Sequence, residues 1–173
     1  MNKSEKEYLK SVPLLKDLTE NELEEFSKIL KPLKVKEGEV IVTEGEEGNT
    51  MFLFREGLVQ VSSQITLKIG KGSEWLDTEK SIATFDASKM TFFGEMSLLT
   101  GSPRSATVKA LSQCLLYEIK KADFDNLCNN FPEMGYKILR AIIYILSGRI
   151  RELNQSVLKL TTALSIVVSK NKK

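Results

Sequence analysis

The apolar positions change period twice along the chain. Leu23, Phe26 and Leu30 recur at helical spacing. Thr19-Glu-Asn-Glu22 precedes them and reads as a capping box, in which the Thr19 hydroxyl accepts from the Glu22 amide and Glu22 reaches back to Thr19. The pattern predicts a helix that Pro32 ends, with Leu14, Leu15 and Leu18 packing against the next layer. From Leu33 to Ile119 the period drops to two. Leu33, Val35, Val40 and Val42 alternate around the turn Glu37-Gly38. Phe52 and Phe54 lead into Glu56-Gly57, and Leu58, Val59 and Val61 follow. Ile82 to Phe85, Ala106 to Ala110 and Leu115 to Ile119 complete the set. Short alternating runs between glycine-containing turns predict a sandwich or barrel of antiparallel strands. The stretch Thr66–Lys80, with Gly70, Gly72 and Trp75, reads as a hairpin or a long loop.

Helical spacing returns at Lys121. Asp123 to Cys128 predicts a short helix broken before Pro132, and a long helix then runs with little reason to stop before Ser169. Leu139, Ile143, Leu146, Ile150, Leu153, Val157, Leu160, Leu164 and Val167 step alternately by four and three. That is an apolar seam of roughly four heptads. A domain this small cannot cover it. Its second half, Leu153–Val167, is expected to pair with another chain; the alternative is that the face packs on the strands.

Composition narrows the chemistry. A chain of 173 residues, 42% hydrophobic and 28% charged, suits one globular domain with a helical extension. The net charge of +2 argues against a nucleic-acid footprint, and no reading helix or basic stripe is visible. There is no histidine, which removes the commonest general base and the commonest metal ligand. Cys114 and Cys128 have no partner at zinc-finger spacing and read as small apolar residues in a reducing compartment. No metal site and no catalytic residue is expected. No apolar run is long enough to span a bilayer, and the N-terminus lacks a signal peptide, so the expected location is the cytoplasm.

One segment carries candidate chemistry: Phe92-Phe-Gly-Glu-Met-Ser-Leu-Leu-Thr-Gly-Ser-Pro-Arg-Ser-Ala-Thr-Val108. Gly94 lets the backbone approach a ligand closely. Glu95 to Leu99 suits one short helical turn, whose first amides lack intrahelical partners and favour an anion. Arg104 returns nine residues after Glu95, across the turn Gly101–Pro103, with a planar fork of donors suited to phosphate. Ser105 adds a hydroxyl and an amide. One loop therefore offers donors for a phosphate and a carboxylate for sugar hydroxyls, which matches a cyclic phosphodiester on a ribose.

The segment closely resembles the phosphate-binding cassette of the cyclic nucleotide-binding domain family, which includes bacterial catabolite activators and regulatory subunits of cAMP-dependent protein kinase. The motif stands as Phe93-Gly94-Glu95, Leu98-Leu99 and Pro103-Arg104-Ser105-Ala106. Glu44-Gly45-Glu-Glu-Gly48, Met51-Phe-Leu-Phe54 and Gly57-Leu-Val-Gln-Val61 resemble the family's second signature, and the likeness runs from about Leu14 to Glu152. It implies an α+β fold: an N-terminal helical segment over 1–32, an antiparallel β-roll of jelly-roll type over 33–120 with the cassette at 93–108, and C-terminal helices over 121–173. It also implies that Glu95 holds the ribose 2′-hydroxyl and Arg104 the exocyclic phosphate oxygens. Ser105 and neighbouring amides complete the cradle, so that Gly94, Glu95, Met96, Ser97, Arg104, Ser105 and Ala106 form the ligand set. Met96 and Leu98 read equally as core or pocket wall. Ser105, rather than threonine, leans towards cAMP over cGMP.

Three departures accompany the likeness. The turn Asp86-Ala-Ser-Lys-Met90 is one residue longer than the family's glycine-rich turn. Arg149 stands near the base-capping position of the long helix, where it would stack on a purine or face water. No helix-turn-helix follows before Lys173. The resemblance implies a non-catalytic sensor of cyclic nucleotide that signals through the C-terminal helix to a homodimer or an effector protein. The alternatives are a scaffolding dimer with a vestigial cassette, whose Glu95 and Arg104 form only a structural ion pair, and a phosphodiesterase, which the lack of histidine disfavours.

Overall fold

The computed structural model describes residues 3–68 and 75–170. Gly70 and Gly72 of the expected hairpin lie outside the described residues. Helix α1 (Lys3–Ser11), a 3₁₀ turn (Pro13–Leu15) and helix α2 (Glu20–Ser27) form the N-terminal layer. The capping box forms as expected: the Glu22 amide donates to Thr19 Oγ1 at 3.3 Å, and the Thr19 amide donates to Glu22 Oε2 at 2.7 Å. Helix α2 stops earlier than Pro32. The amides of Lys28, Ile29 and Leu30 donate to carbonyls three residues back, which tightens the last turn and closes it. Pro32 instead sits in strand β1 (Lys31–Val35), which pairs on one side only. An edge strand tolerates a residue without an amide hydrogen.

Seven more strands follow: β2 (Val40–Val42), β3 (Thr50–Glu56), β4 (Leu58–Lys68), β5 (Trp75–Asp86), β6 (Phe92–Phe93), β7 (Thr107–Ala110) and β8 (Cys114–Lys120). They form two antiparallel sheets, β1-β8-β3-β6 and β2-β7-β4-β5. Strands β4 and β5 pair antiparallel, so the described parts of the ambiguous stretch, 66–68 and 75–80, are strand. The alternation read around Glu37-Gly38 fails at Val40, which is exposed; a register shift between Val40 and Val42 turns its side chain out of phase.

Strand β3 shows how the layers close. Residues 50–54 are all buried, because both faces of the strand are covered. Met51 and Leu53 point to the helices and pack with Leu15, Phe26, Phe124 and Ile138. Phe52 and Phe54 point into the roll and pack with Val59, Phe93, Val108 and Leu116. Phe93 stacks on Phe52 at 5.2 Å between centroids, which anchors the start of the cassette to the roll.

Helix α4 (Lys121–Asn130) and helix α5 (Pro132–Lys170) complete the chain. A β-carbon on Gly135 would lie 3.0 Å from Cys128 Cβ, so the glycine sets how closely the two helices cross. Helix α5 buries Met134, Ile138, Ala141 and Ile142 against the core. Lys137 Nζ reaches Glu22 Oε1 at 2.8 Å and Arg140 reaches Asp17 Oδ2 at 2.9 Å, which fastens α5 to the N-terminal layer. Of the seam, Leu146 is partly buried against the core, while the rest is largely exposed. Ile143 is 63% exposed and Ile150 58% exposed, and every residue from 151 to 169 is exposed.

Candidate functional site

The Phe92–Val108 segment folds as a short strand, a left-handed glycine, one helical turn and a return loop. Gly94 has φ of 82° and caps helix α3 (Glu95–Thr100), which Gly101 closes with φ of 71°. A left-handed residue at the entrance lets the chain reverse from β6 into α3, and glycine takes that conformation without a Cβ penalty.

Arg104 lies in the return loop and is only 8% exposed. Its Nη1 donates to the Thr50 carbonyl at 2.7 Å and to the Gly94 carbonyl at 3.4 Å, and its Nη2 donates to Thr50 Oγ1 at 2.6 Å. The backbone is tied down as well: the Arg104 amide donates to Glu46 O at 2.8 Å, and the Gly45 amide donates to Arg104 O at 2.9 Å. Among the described residues no carboxylate lies within ion-pair distance of Arg104. Burial lowers the pKa of its guanidinium, opposed by the nearby Glu46 carboxylate. Arginine nevertheless remains charged. A guanidinium held by neutral oxygens alone keeps donors and a net charge available for an anion.

Glu95 is 5% exposed and does not pair with Arg104. Its Oε1 accepts from Arg149 Nη1 of α5 at 3.2 Å. Arg149 also donates to the Phe92 carbonyl at 3.1 Å and lies 4.9 Å from the Phe92 ring centroid. The structural ion pair considered for Glu95 and Arg104 is therefore replaced by one between Glu95 and Arg149. The Arg149 guanidinium is engaged by Glu95 and Phe92.

The other expected residues divide. Ser97 is buried and Ala106 half-buried, while Ser105 and Met96 are exposed. Leu98 is fully buried in the core, which separates it from Met96. The longer turn Asp86–Met90 closes without glycine: Asp86 Oδ1 accepts from the Ser88 amide at 2.9 Å and the Lys89 amide at 3.2 Å. The Ser88 hydroxyl, which donates to the same oxygen, and those two amide bonds hold the Asp86 carboxyl below its usual range against the opposing effect of burial.

Two residues of the site were missed from the sequence. Thr50 supplies two acceptors to Arg104, and Gly48 sits over the same guanidinium: a β-carbon there would lie 2.7 Å from Arg104 Nε and 2.5 Å from Ser97 Cβ. Gly48 is thus a close-approach residue rather than only a turn former. The available signal was a glycine two residues before a hydroxyl residue, Thr50, that opens the apolar run Met51–Phe54.

A buried arginine on a β-roll, beside a carboxylate and a long helix, is the arrangement of a cyclic nucleotide-binding domain. The family model for that domain matches residues 32–131, and the chain belongs to this family. A cyclic nucleotide-gated potassium channel of Mesorhizobium japonicum is 35% identical over 125 residues, covering 72% of this chain and 30% of the channel. A cAMP-dependent protein kinase regulatory subunit of Dictyostelium discoideum is 28% identical, covering 74% of this chain and 37% of the subunit. The chain thus spans about a third of the length of these relatives. Among solved structures, a cyclic nucleotide-binding domain from Methylobacillus flagellatus has a TM-score of 0.74 at 24% identity, covering 88% of this chain and 84% of that one. The second binding domain of a protein kinase A regulatory subunit with Sp-2Cl-cAMPS has a TM-score of 0.62 at 28% identity, covering 88% and 90%. No described helix is long and apolar enough to cross a membrane.

Proposed function

We propose that the chain is a non-catalytic sensor that binds cAMP in preference to cGMP and transmits occupancy through α5 to a second copy or an effector protein. The observation that carries this reading is Arg104: a buried guanidinium bonded to Thr50 and Gly94 oxygens, without a carboxylate partner among the described residues. An exocyclic phosphate supplies the missing charge through charge-assisted hydrogen bonds. Gly94 and Ser97 lie beside that guanidinium; on this reading Ser105 and Ala106 complete the phosphate cradle, Glu95 accepts the ribose hydroxyl, and Met96 forms the mouth. Ser105 supports cAMP.

The exposed seam supports a homodimer. Ile143, Ile150 and Val157 alternate with Leu146, Leu153 and Leu160, an order that reverses only at Leu164 and Val167. β-Branched residues at one heptad position and leucine at the other favour two parallel strands. A cytoplasmic location fits two free cysteines, Cys114 and Cys128. The test is calorimetric titration of nucleotide-stripped protein with cAMP and then cGMP. Micromolar or tighter binding of cAMP, and weaker binding of cGMP, is expected. Folded protein that binds neither would leave a scaffolding dimer as the better reading.

A further inference from the structure

We infer that Met96 is a peroxide-sensitive modification site, and that its oxidation to the sulfoxide lowers the affinity of the cassette for nucleotide. The second half rests on the cyclic-nucleotide reading and adds regulation to that same site. Among the described residues Met96 carries the one exposed sulfur. It is 51% exposed, whereas Met51, Met90 and Met134 are 1%, 8% and 1% exposed. Cys114 is buried and Cys128 half-buried. Burial raises the pKa of both thiols, and Asp125 raises that of Cys128 further, so both stay protonated and poorly nucleophilic. A thioether needs no deprotonation, and its oxidation follows exposure.

The step is a two-electron oxygen transfer. A hydroperoxide, ROOH, gives its terminal oxygen to the Met96 sulfur. The O–O bond breaks, an S=O bond forms, and ROH leaves with the proton; sulfur is oxidised and the peroxide reduced. The place of Met96 gives the step its consequence. It stands in the first turn of α3 between Glu95 and Ser97, both buried. Leu98 is fully buried and left-handed glycines close both ends of α3, so the helix has little freedom to turn a modified side chain away from the cassette. Oxidation replaces a flexible apolar side chain with a polar one. At the mouth of the cradle that loses apolar contact with the ligand and sets a negative sulfoxide oxygen near its phosphate. Sulfoxide reductases reverse the change, so the site can work as a switch.

The test treats the full chain with hydrogen peroxide and reads each methionine by peptide mass spectrometry. Met96 is expected to oxidise roughly ten-fold faster than Met51, Met90 or Met134, and saturating cAMP to slow it. Calorimetric titration should find treated wild type binding cAMP roughly three- to ten-fold more weakly than untreated, the worth of a lost apolar contact. Methionine sulfoxide reductase should restore the affinity. In Met96→Leu, whatever its own affinity, the same treatment should change nothing. Oxidation of the buried methionines as fast as Met96 overturns the modification site. Oxidised protein with undiminished affinity overturns the regulation, as does a Met96→Leu variant that weakens with peroxide as wild type does. Untreated protein that binds neither nucleotide overturns the nucleotide reading and the regulation with it, while the oxidation rates still decide the modification site.

Discussion

Gly48 lies so close to Arg104 that a β-carbon would sit 2.7 Å from Nε and 2.8 Å from Cζ. The guanidinium is pinned from the other side by Thr50, so it has little freedom to withdraw. Gly48 is not in a left-handed conformation, so the cost of a substitution there is steric. Gly48→Ala is expected to lower stability by about 1–3 kcal/mol, in the range of overpacked sites, and to weaken nucleotide binding. Gly38→Ala is the control. Gly38 has φ of 86° and open space around it, and its amide bonds to the Ala110 carbonyl rather than to a residue of the cassette. It should lose about 1–2 kcal/mol of stability with unchanged affinity. Thermal melts and calorimetry on both variants check this; a Gly48→Ala protein with wild-type affinity would separate the glycine from the site.

Arg104→Ala removes the charge that the cradle is built around. Loss of a charge-assisted hydrogen bond is expected to cost about 1.5–3 kcal/mol of binding, or roughly ten- to a hundred-fold. Arg104→Lys should recover only part of the loss, since an ammonium lacks the planar fork that reaches Thr50 and a phosphate together. Unchanged binding in Arg104→Ala would remove the cassette from the mechanism.

Much of this site was legible in the sequence because the cassette is contiguous. Gly94, Glu95 and Arg104 sit within one short stretch, and their chemistry points to an anion and a hydroxyl. The capping box at Thr19 and Glu22 was equally local. What the sequence did not give away came from long-range geometry. Thr50 meets Arg104 across 54 positions and Arg149 meets Glu95 across the same number. The phase of α5 that brings Arg149 over Phe92 depends on how Met134, Ile138 and Ile142 seat in the core, which periodicity alone leaves open. Val40 misled for a related reason: a strand irregularity, invisible in composition, reverses its face.

Glu22 serves two structures at once, capping α2 and holding Lys137 of α5. Burial pushes its carboxyl up, but the Lys137 ammonium and the bonds from Thr19 outweigh it and leave the pKa below the usual value. A depressed carboxyl pKa stabilises the fold above the unfolded value and loses that contribution as pH falls through the folded one. Glu22→Gln keeps a side chain fit for the capping box and removes the ion pair. Wild type should exceed the variant by about 0.5–1 kcal/mol at neutral pH. Denaturant melts should show that gap steady above about pH 5 and closing below it. A gap independent of pH would show that the Lys137 pair contributes nothing.

The last prediction concerns the exposed part of α5. Ile150 and Val157 are 58% and 50% exposed, so glutamate at both positions removes little contact within the monomer. Within a paired seam the same two residues stand opposite each other across the helices, and burying four carboxylates there without partners is prohibitive. The Ile150→Glu, Val157→Glu variant is therefore expected to sediment as a monomer where wild type sediments as a dimer. Its roll should remain folded, because Met134, Ile138, Ala141 and Ile142, rather than Ile150 and Val157, dock α5 on the core. A helix of about 28 Å standing alone in water is marginal, so the monomeric variant should also lose helical signal from residues 151–169. A double variant that stays dimeric would place the association elsewhere on the molecule and leave the seam without a role in it.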